Sequence, residues 1–194
     1  MKVSREQAAA NRERVVEAAG RLFRENGFDG VSIVDLMNAA GLSHGGFYNQ
    51  FESKGDLAAE ACVRALAGSV QRWQAVVARR PEAPLAAIAE HYLSERHRED
   101  PGGGCVYASL AAEAGRQGQP AVKRAFTEGL QPLLAILERH QSADTDEGRR
   151  AAALVAMSTM VGALVLARAV DDKELSDALL AAGRAAVASG ENAR

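Results

Sequence analysis

The sequence predicts an all-α chain of about nine helices, in two parts that meet near residue 56. Three observations carry this. No stretch alternates apolar and polar residues for long with β-branched enrichment, so the period-two signal of strands is missing. Pro is scarce, with 5 residues, and Ala, Leu, Glu and Arg fill the segments between breaks. Start and stop signals recur at helix spacing, most densely in Val31–Asp56. With 194 residues, 47% hydrophobic and 25% charged, the chain can bury a sizeable core and is globular.

From about Arg5 to Asn26, Val15, Val16, Ala19, Leu22 and Phe23 form one apolar stripe, and Asn26-Gly27 stops the helix. Lys2, Arg5, Arg12 and Arg14 lie on the polar face or the start, where they are either solvated or available to phosphate. Ser32 with Asp35 reads as an N-cap with a reciprocal partner, so the next helix starts at Ile33 and ends at Gly41, a left-handed C′ residue. Ser43 caps a short helix, His44 to Gln50, and Ser53 a further one from Lys54. Two helices joined by a short Gly-containing turn make a helix-turn-helix.

The short helix is costly for packing alone. Gly45 and Gly46 each lose roughly 1 kcal/mol relative to Ala. They make sense where the backbone must approach another surface, and phosphates favour helix N-termini. Phe47 and Phe51 anchor the segment, while His44, Tyr48 and Asn49 point outward with groups able to meet bases or phosphates, or simply water. Lys54, a cation at a helix N-terminus, opposes the helix dipole and so points to an external anion.

These residues resemble a family. Ala18-Ala19, Leu22-Phe23, Gly27, Val31-Ser32-Ile33, Asp35-Leu36, Ala40-Gly41-Leu42-Ser43, Gly46-Phe47-Tyr48, Gln50-Phe51, Ser53-Lys54 and Leu57 look like the N-terminal domain of TetR/AcrR-type bacterial transcriptional regulators. The resemblance covers about the first quarter of the chain. It implies a helix-turn-helix DNA-binding domain over 1–56, a ligand-binding and dimerisation domain over 57–194, and His44 to Gln50 as the recognition helix. The DNA-facing set it suggests is Ser32, Ser43, His44, Gly45, Gly46, Tyr48, Asn49 and Lys54, with Tyr48 and Lys54 at phosphate-contacting positions. Gly45, and Asn49 where a His is frequent, depart from the family pattern and bear on which operator is read.

Beyond Lys54, Asp56 to Arg80 reads as one long helix, with Leu57, Cys62, Leu66, Val70, Trp73, Val76 and Val77 inward, ended by Pro81. Pro84 to about Arg98 is the next, with Leu85, Ile88, Ala89, Tyr92 and Leu93 on one side. Asp100 to Gly104 is a loop, and Cys105 stands at or just before a helix holding Val106, Tyr107 and Leu110. A thiol at a helix start is either a reactive sensor or a buried space-filler. Gly115 to Pro120 is a loop. Pro120 to about His140 is helical, with a kink expected at Pro132.

Asp146 or Glu147 to Val170 is nearly all apolar beyond Ala151, yet Arg168 interrupts it and no second span exists, so a membrane crossing is rejected. Such a helix is buried on several sides, one of them against a partner. Asp172 caps Lys173 to about Ser189, and Gly190 to Arg194 is expected to be a disordered tail. These two helices and their twofold copies would form a four-helix interface, which the resemblance also implies.

The net charge of −2 argues against broad nucleic-acid coating, though local charge decides DNA reading. Two distant cysteines fit a reducing cytosol, and the polar N-terminus is no secretory signal. No Ser-His-Asp, HExxH or phosphate-loop constellation occurs, so neither catalysis, metal nor cofactor is expected. The expected function is a cytoplasmic dimeric repressor on a palindromic operator, released by a small apolar or electrophilic effector. The effector pocket would be lined by Trp73, Tyr92, Cys105, Tyr107, Phe126, Met157 and Met160. The competing readings are an all-α enzyme and an interaction protein whose helix-turn-helix is only a packed corner.

Overall fold

The computed structural model describes residues 4–117 and 119–191, and contains nine α-helices and no strand among them. Helix α1 (Arg5–Asn26) starts where the Ser4 hydroxyl accepts from the Gln7 N–H at 3.1 Å. It ends at Gly27, whose φ of 77° suits glycine. Helix α2 (Ile33–Ala39) carries the expected capping box. The Ser32 hydroxyl accepts from the Asp35 N–H (3.1 Å), and the Asp35 carboxylate accepts from the Ser32 N–H (2.9 Å). Gly41, at φ 68°, turns the chain out of it.

The next segment, His44–Asn49, is a 3₁₀ helix rather than the expected α-helix. Two glycines in six residues give too little propensity for a full α-turn, and the tighter bonding suits short pieces. Helix α3 (Lys54–Arg79) starts under a cap in which Ser53 accepts from the Asp56 N–H at 3.1 Å.

The single helix expected over Pro84 to Arg98 is two: α4 (Pro84–Tyr92) and α5 (Glu95–Glu99). Two causes are visible. Ser94 accepts from the His97 N–H and restarts the helix, while the Leu93 carbonyl is taken by the Arg184 guanidinium at 2.6 Å. Helix α6 (Val106–Gln117) includes Gly115, Arg116 and Gln117, which were expected in a loop; Gly118 lies outside the described residues. Helix α7 (Pro120–Glu138) runs through Pro132. Helices α8 (Asp146–Ala169) and α9 (Lys173–Ala188) are capped by Thr145 and Asp172. A 3₁₀ turn, Ser189–Glu191, follows α9, and the Gly190 carbonyl accepts from the Ser142 N–H at 3.3 Å. The tail expected to be disordered is therefore ordered as far as residue 191; residues 192–194, like Lys2, lie outside the described residues.

The chain forms two compact units. One comprises Met1–Leu66 with Pro101–Thr127, the other Ala67–Asp100 with Glu128–Arg194. The cut expected at residue 56 thus falls inside α3, and the first unit also takes in α6. Its core holds Val15, Phe23, Phe28, Leu36, Met37, Phe47, Leu57, Leu66 and Leu110, all at most 2% exposed. Two tethers reach α1 from the later segment. The Glu113 carboxylate on α6 accepts from the Phe28 and Asp29 N–H groups at 2.8 and 3.1 Å. The Arg24 Nε donates to the Gly102 carbonyl at 2.7 Å.

The second unit packs α4, α8 and α9 around Leu85, Ile88, Leu93, Met160, Leu164 and Leu180. Arg168, the charge that interrupts the apolar α8, has a structural use. Its guanidinium donates to the carbonyls of His97 (2.5 Å) and Arg98 (3.1 Å), closing the end of α5. Arg98 in turn donates to Ser176 and Asp177, tying α5 to α9.

Candidate nucleic-acid interface

The turn from Gly41 and the 3₁₀ segment present one side of the first unit to solvent. Phe47 is fully buried, and its ring meets Phe51 at 5.5 Å between centroids. This anchor fixes which neighbours face outward. Tyr48, one residue on, is 67% exposed, its ring set edge-on to Phe47 at 5.1 Å. Ser43, His44, Gly45 and Asn49 are exposed, and Gly46 and Lys54 are half-buried. The Ser43 side chain makes no cap bond, and its carbonyl accepts from the Gly46 N–H at 3.1 Å.

The two glycines differ. A Cβ at Gly46 would sit 3.7 Å from the Met37 methyl, an ordinary contact, and a Cβ at Gly45 would meet nothing within 4 Å. Neither has a positive φ. Nothing among the described residues therefore requires glycine at 45.

Ser32, the remaining predicted contact, stands at the start of α2 with its hydroxyl engaged by Asp35. That bond, with the one from the Ser32 N–H, holds the Asp35 carboxyl below the usual carboxylate range. The carboxylate beside it repels a phosphate, so capping is the role visible for Ser32. Arg12, a candidate for phosphate, is spent within the unit. Its guanidinium forms a two-pronged ion pair with Glu60 on α3 and lies 4.7 Å from the centre of the Phe51 ring. The Arg14 side chain donates to Asn11 at 2.7 Å and stays exposed, as does Arg5.

Residues 15–61 match the family profile described as bacterial regulatory proteins, tetR family. This span contains α2, the turn, the 3₁₀ segment and the first residues of α3. This N-terminal segment is of the tetR family.

Over 135 residues the chain is 27% identical to an HTH-type transcriptional regulator from the lacX 3′ region of Lactococcus lactis subsp. lactis. That match covers 66% of this chain and 64% of the relative's length. Among solved structures, a TetR transcriptional regulator from Chloroflexus aurantiacus is 25% identical with a TM-score of 0.77, covering 97% of this chain and 98% of the other. The reduced form of Escherichia coli NemR, at 20% identity, shares the fold with a TM-score of 0.77 over 93% of this chain and 97% of its own.

The seven residues expected to line an effector pocket divide between the units. Cys105, Tyr107 and Phe126 belong to the first, and Trp73, Tyr92, Met157 and Met160 to the second. Tyr107 and Phe126 meet edge to face at 5.1 Å, and the Tyr107 hydroxyl donates to the Phe126 carbonyl at 2.7 Å. Burial raises the Tyr107 phenol above its ordinary value. Trp73 and Tyr92 are both 3% exposed and stack edge-on at 6.0 Å, and His97 closes on Tyr92 at 4.7 Å. The His97 Nδ1 lies 2.6 Å from the Tyr92 carbonyl, and burial, with Arg168, His91 and Arg72 nearby, pushes the ring down to about 4. A crevice in the first unit bordered by Phe23, Arg24, Cys62 and Leu110, too tight to hold a water molecule, touches none of the seven.

Cap and glycine signals in the sequence mark the outward residues of the 3₁₀ segment. They do not mark Arg12 as a brace or Glu113 as a tether, because their partners lie 48 and 85 residues away with no local pattern to announce them.

Proposed function

We propose that this chain is a DNA-binding transcriptional repressor. It acts as a dimer, places His44–Asn49 in the major groove, and leaves a palindromic operator when a small apolar or electrophilic effector binds. The half-sites would lie about one helical turn apart, roughly 34 Å. The observation that carries the reading is Gly45. It weakens the short helix and fills no tight space in the protein, while Tyr48, His44 and Asn49 stand exposed around it. Room left open beside exposed donors is what a helix start needs to approach a phosphate backbone. A packed corner would gain from alanine there, and no catalytic constellation competes, so the chain is read as a cytoplasmic regulator and not an enzyme.

The test is a gel-shift titration against DNA flanking the protein's own gene. Wild type is expected to give a discrete shift, and Tyr48→Phe and Lys54→Ala to bind several-fold more weakly. Unchanged binding by both variants removes their phosphate roles, and no wild-type shift removes the DNA reading.

For an electrophilic effector the chemistry falls to Cys105. Burial pushes the Cys62 thiol up to about 12, so almost none of it is thiolate at neutral pH. Cys105, 6% exposed, immediately precedes α6. NemR, which shares the fold, is known in a reduced form. N-ethylmaleimide should release DNA from wild type more than from Cys105→Ser, and equal release by the two ends the thiol reading.

A further inference from the structure

The helix-turn-helix can read DNA only if α2 and the 3₁₀ segment are held at a fixed angle to α1. That angle is set in the turn Gly27–Val31. The turn begins at Gly27, with φ 77°, and continues through Phe28, which is 2% exposed and packed on Phe23 at 5.4 Å. Past the end of α1 the N–H of the buried Phe28 needs an acceptor outside the helix, and the N–H of the exposed Asp29 lies beside it. Both find the same one, the two oxygens of the Glu113 carboxylate, at 2.8 and 3.1 Å.

We infer that Glu113 is a positioning residue for DNA binding, its carboxylate on α6 fixing the α1–α2 turn and so the direction of the reading segment. The inference rests on the DNA-binding function proposed above. Gly27 belongs to the same device. A Cβ there would come within 2.7 Å of the Glu113 Oε2, so the carboxylate occupies the space that a side chain at position 27 would need. Two N–H groups on one carboxylate are charge-assisted and directional, and together they fix orientation as well as distance. A second tether, from the Arg24 Nε to the Gly102 carbonyl just ahead of α6, holds the same end of α1. Glu113 lies 85 residues from Phe28, so this is a tertiary lock and not a local cap.

The experiment compares wild type, Glu113→Gln, Glu113→Ala and the conservative core variant Ile88→Val in the second unit. Each is titrated with the promoter fragment of the protein's own gene at 10 °C, where circular dichroism verifies folding. Glu113→Gln keeps the shape but loses the charge and one acceptor. It is expected to bind about tenfold more weakly, and Glu113→Ala weaker still. The dependence of binding on salt should keep its slope, because no phosphate contact is removed. Amide exchange at Phe28 and Asp29 should quicken. Ile88→Val should lower the Tm without changing affinity. A Glu113→Gln protein that melts earlier yet binds as wild type, an affinity loss shared by Ile88→Val, or unchanged exchange at the two amides overturns the inference. A wild type that binds no DNA removes the proposed function itself and the positioning role with it, and is distinguished by being seen before any variant is compared.

Discussion

Gly45 lowers local helix stability while nothing in the chain uses the space it leaves. Gly45→Ala should therefore leave thermal stability unchanged or raise it by up to about 1 kcal/mol, the propensity difference between the two residues. In the proposed complex the added methyl stands between the 3₁₀ segment and the DNA, and affinity should fall at least tenfold. Equal affinity by fluorescence anisotropy would place this segment away from the backbone. His97 makes a second prediction at this scale. Its folded value is about 4 against an ordinary value of 6.5, chiefly through burial. Between those values the unfolded chain takes up a proton that the folded chain refuses. The stability tied to a neutral His97 is thus complete above about pH 6.5 and is lost as pH falls toward about 4. His97→Gln retains an amide able to donate to the Tyr92 carbonyl but does not titrate. Its Tm should drop less than that of wild type between pH 7 and pH 5, and equal drops would mean that His97 is not buried in solution.

At the scale of elements, the brace between α1 and α3 separates structural from phosphate-binding cations. Arg12 pairs with Glu60 and covers Phe51, with side chains 40% and 35% exposed across the pair. A pair this open adds little, so Arg12→Gln should cost under about 1.5 kcal/mol including the ring contact. The sharper expectation concerns salt. Because its guanidinium is engaged within the protein, Arg12→Gln should leave the slope of log K against log salt unchanged, whereas Lys54→Ala should reduce it by about one. A reduced slope for Arg12→Gln would return it to the phosphate-contacting set. From sequence, Arg12 read as solvated or available to phosphate, since only the meeting of α1 with α3 brings Glu60 within reach. The same limit runs through the fold. Caps at Ser32, Ser53 and Asp172, and Pro84 as the first residue of α4, were legible because each is a local pattern. The break between α4 and α5 was missed: the Ser94 cap is local, but the Arg184 guanidinium that takes the Leu93 carbonyl comes from 91 residues away. The 3₁₀ form of His44–Asn49 was half legible. The glycines marked the segment as weak, but apolar spacing cannot distinguish a six-residue α-helix from its tighter relative.

At the scale of the molecule, α8 poses the question of what covers it. By length and composition it is the one described helix able to cross a membrane, with a mean hydropathy of 1.8 in its most apolar window, of which 33% is buried. Leu154, Val155, Val165 and Leu166 are 41–66% exposed, and with Ala151, Ser158 and Ala169 they fall on one side of the helix. The opposite side carries Ala153, Met157, Met160 and Leu164 into the unit's own core. Beside it α9 exposes Leu175 and small residues, Ala178, Ala182 and Ala186, over which another helix could approach closely. A bilayer favours a helix apolar on all sides, and α8 ends in Arg168 bound to backbone carbonyls. A second copy needs only the stripe, and a twofold pairing of α8 and α9 would bury it in a four-helix contact. Each of these half-exposed apolar side chains so covered would contribute about 1 kcal/mol, roughly half the value for full burial, and symmetry counts every one twice. Val155→Glu therefore introduces two carboxylates into the contact while altering a residue that is 66% exposed in the single chain. Sedimentation equilibrium should show wild type as a dimer at micromolar concentration and Val155→Glu as a folded monomer with an unchanged helical spectrum. Affinity for a palindromic site should fall with it, because one reading segment cannot span two half-sites. A wild type that sediments as a monomer, or floats with phosphatidylglycerol vesicles, would assign the stripe to a different occupant.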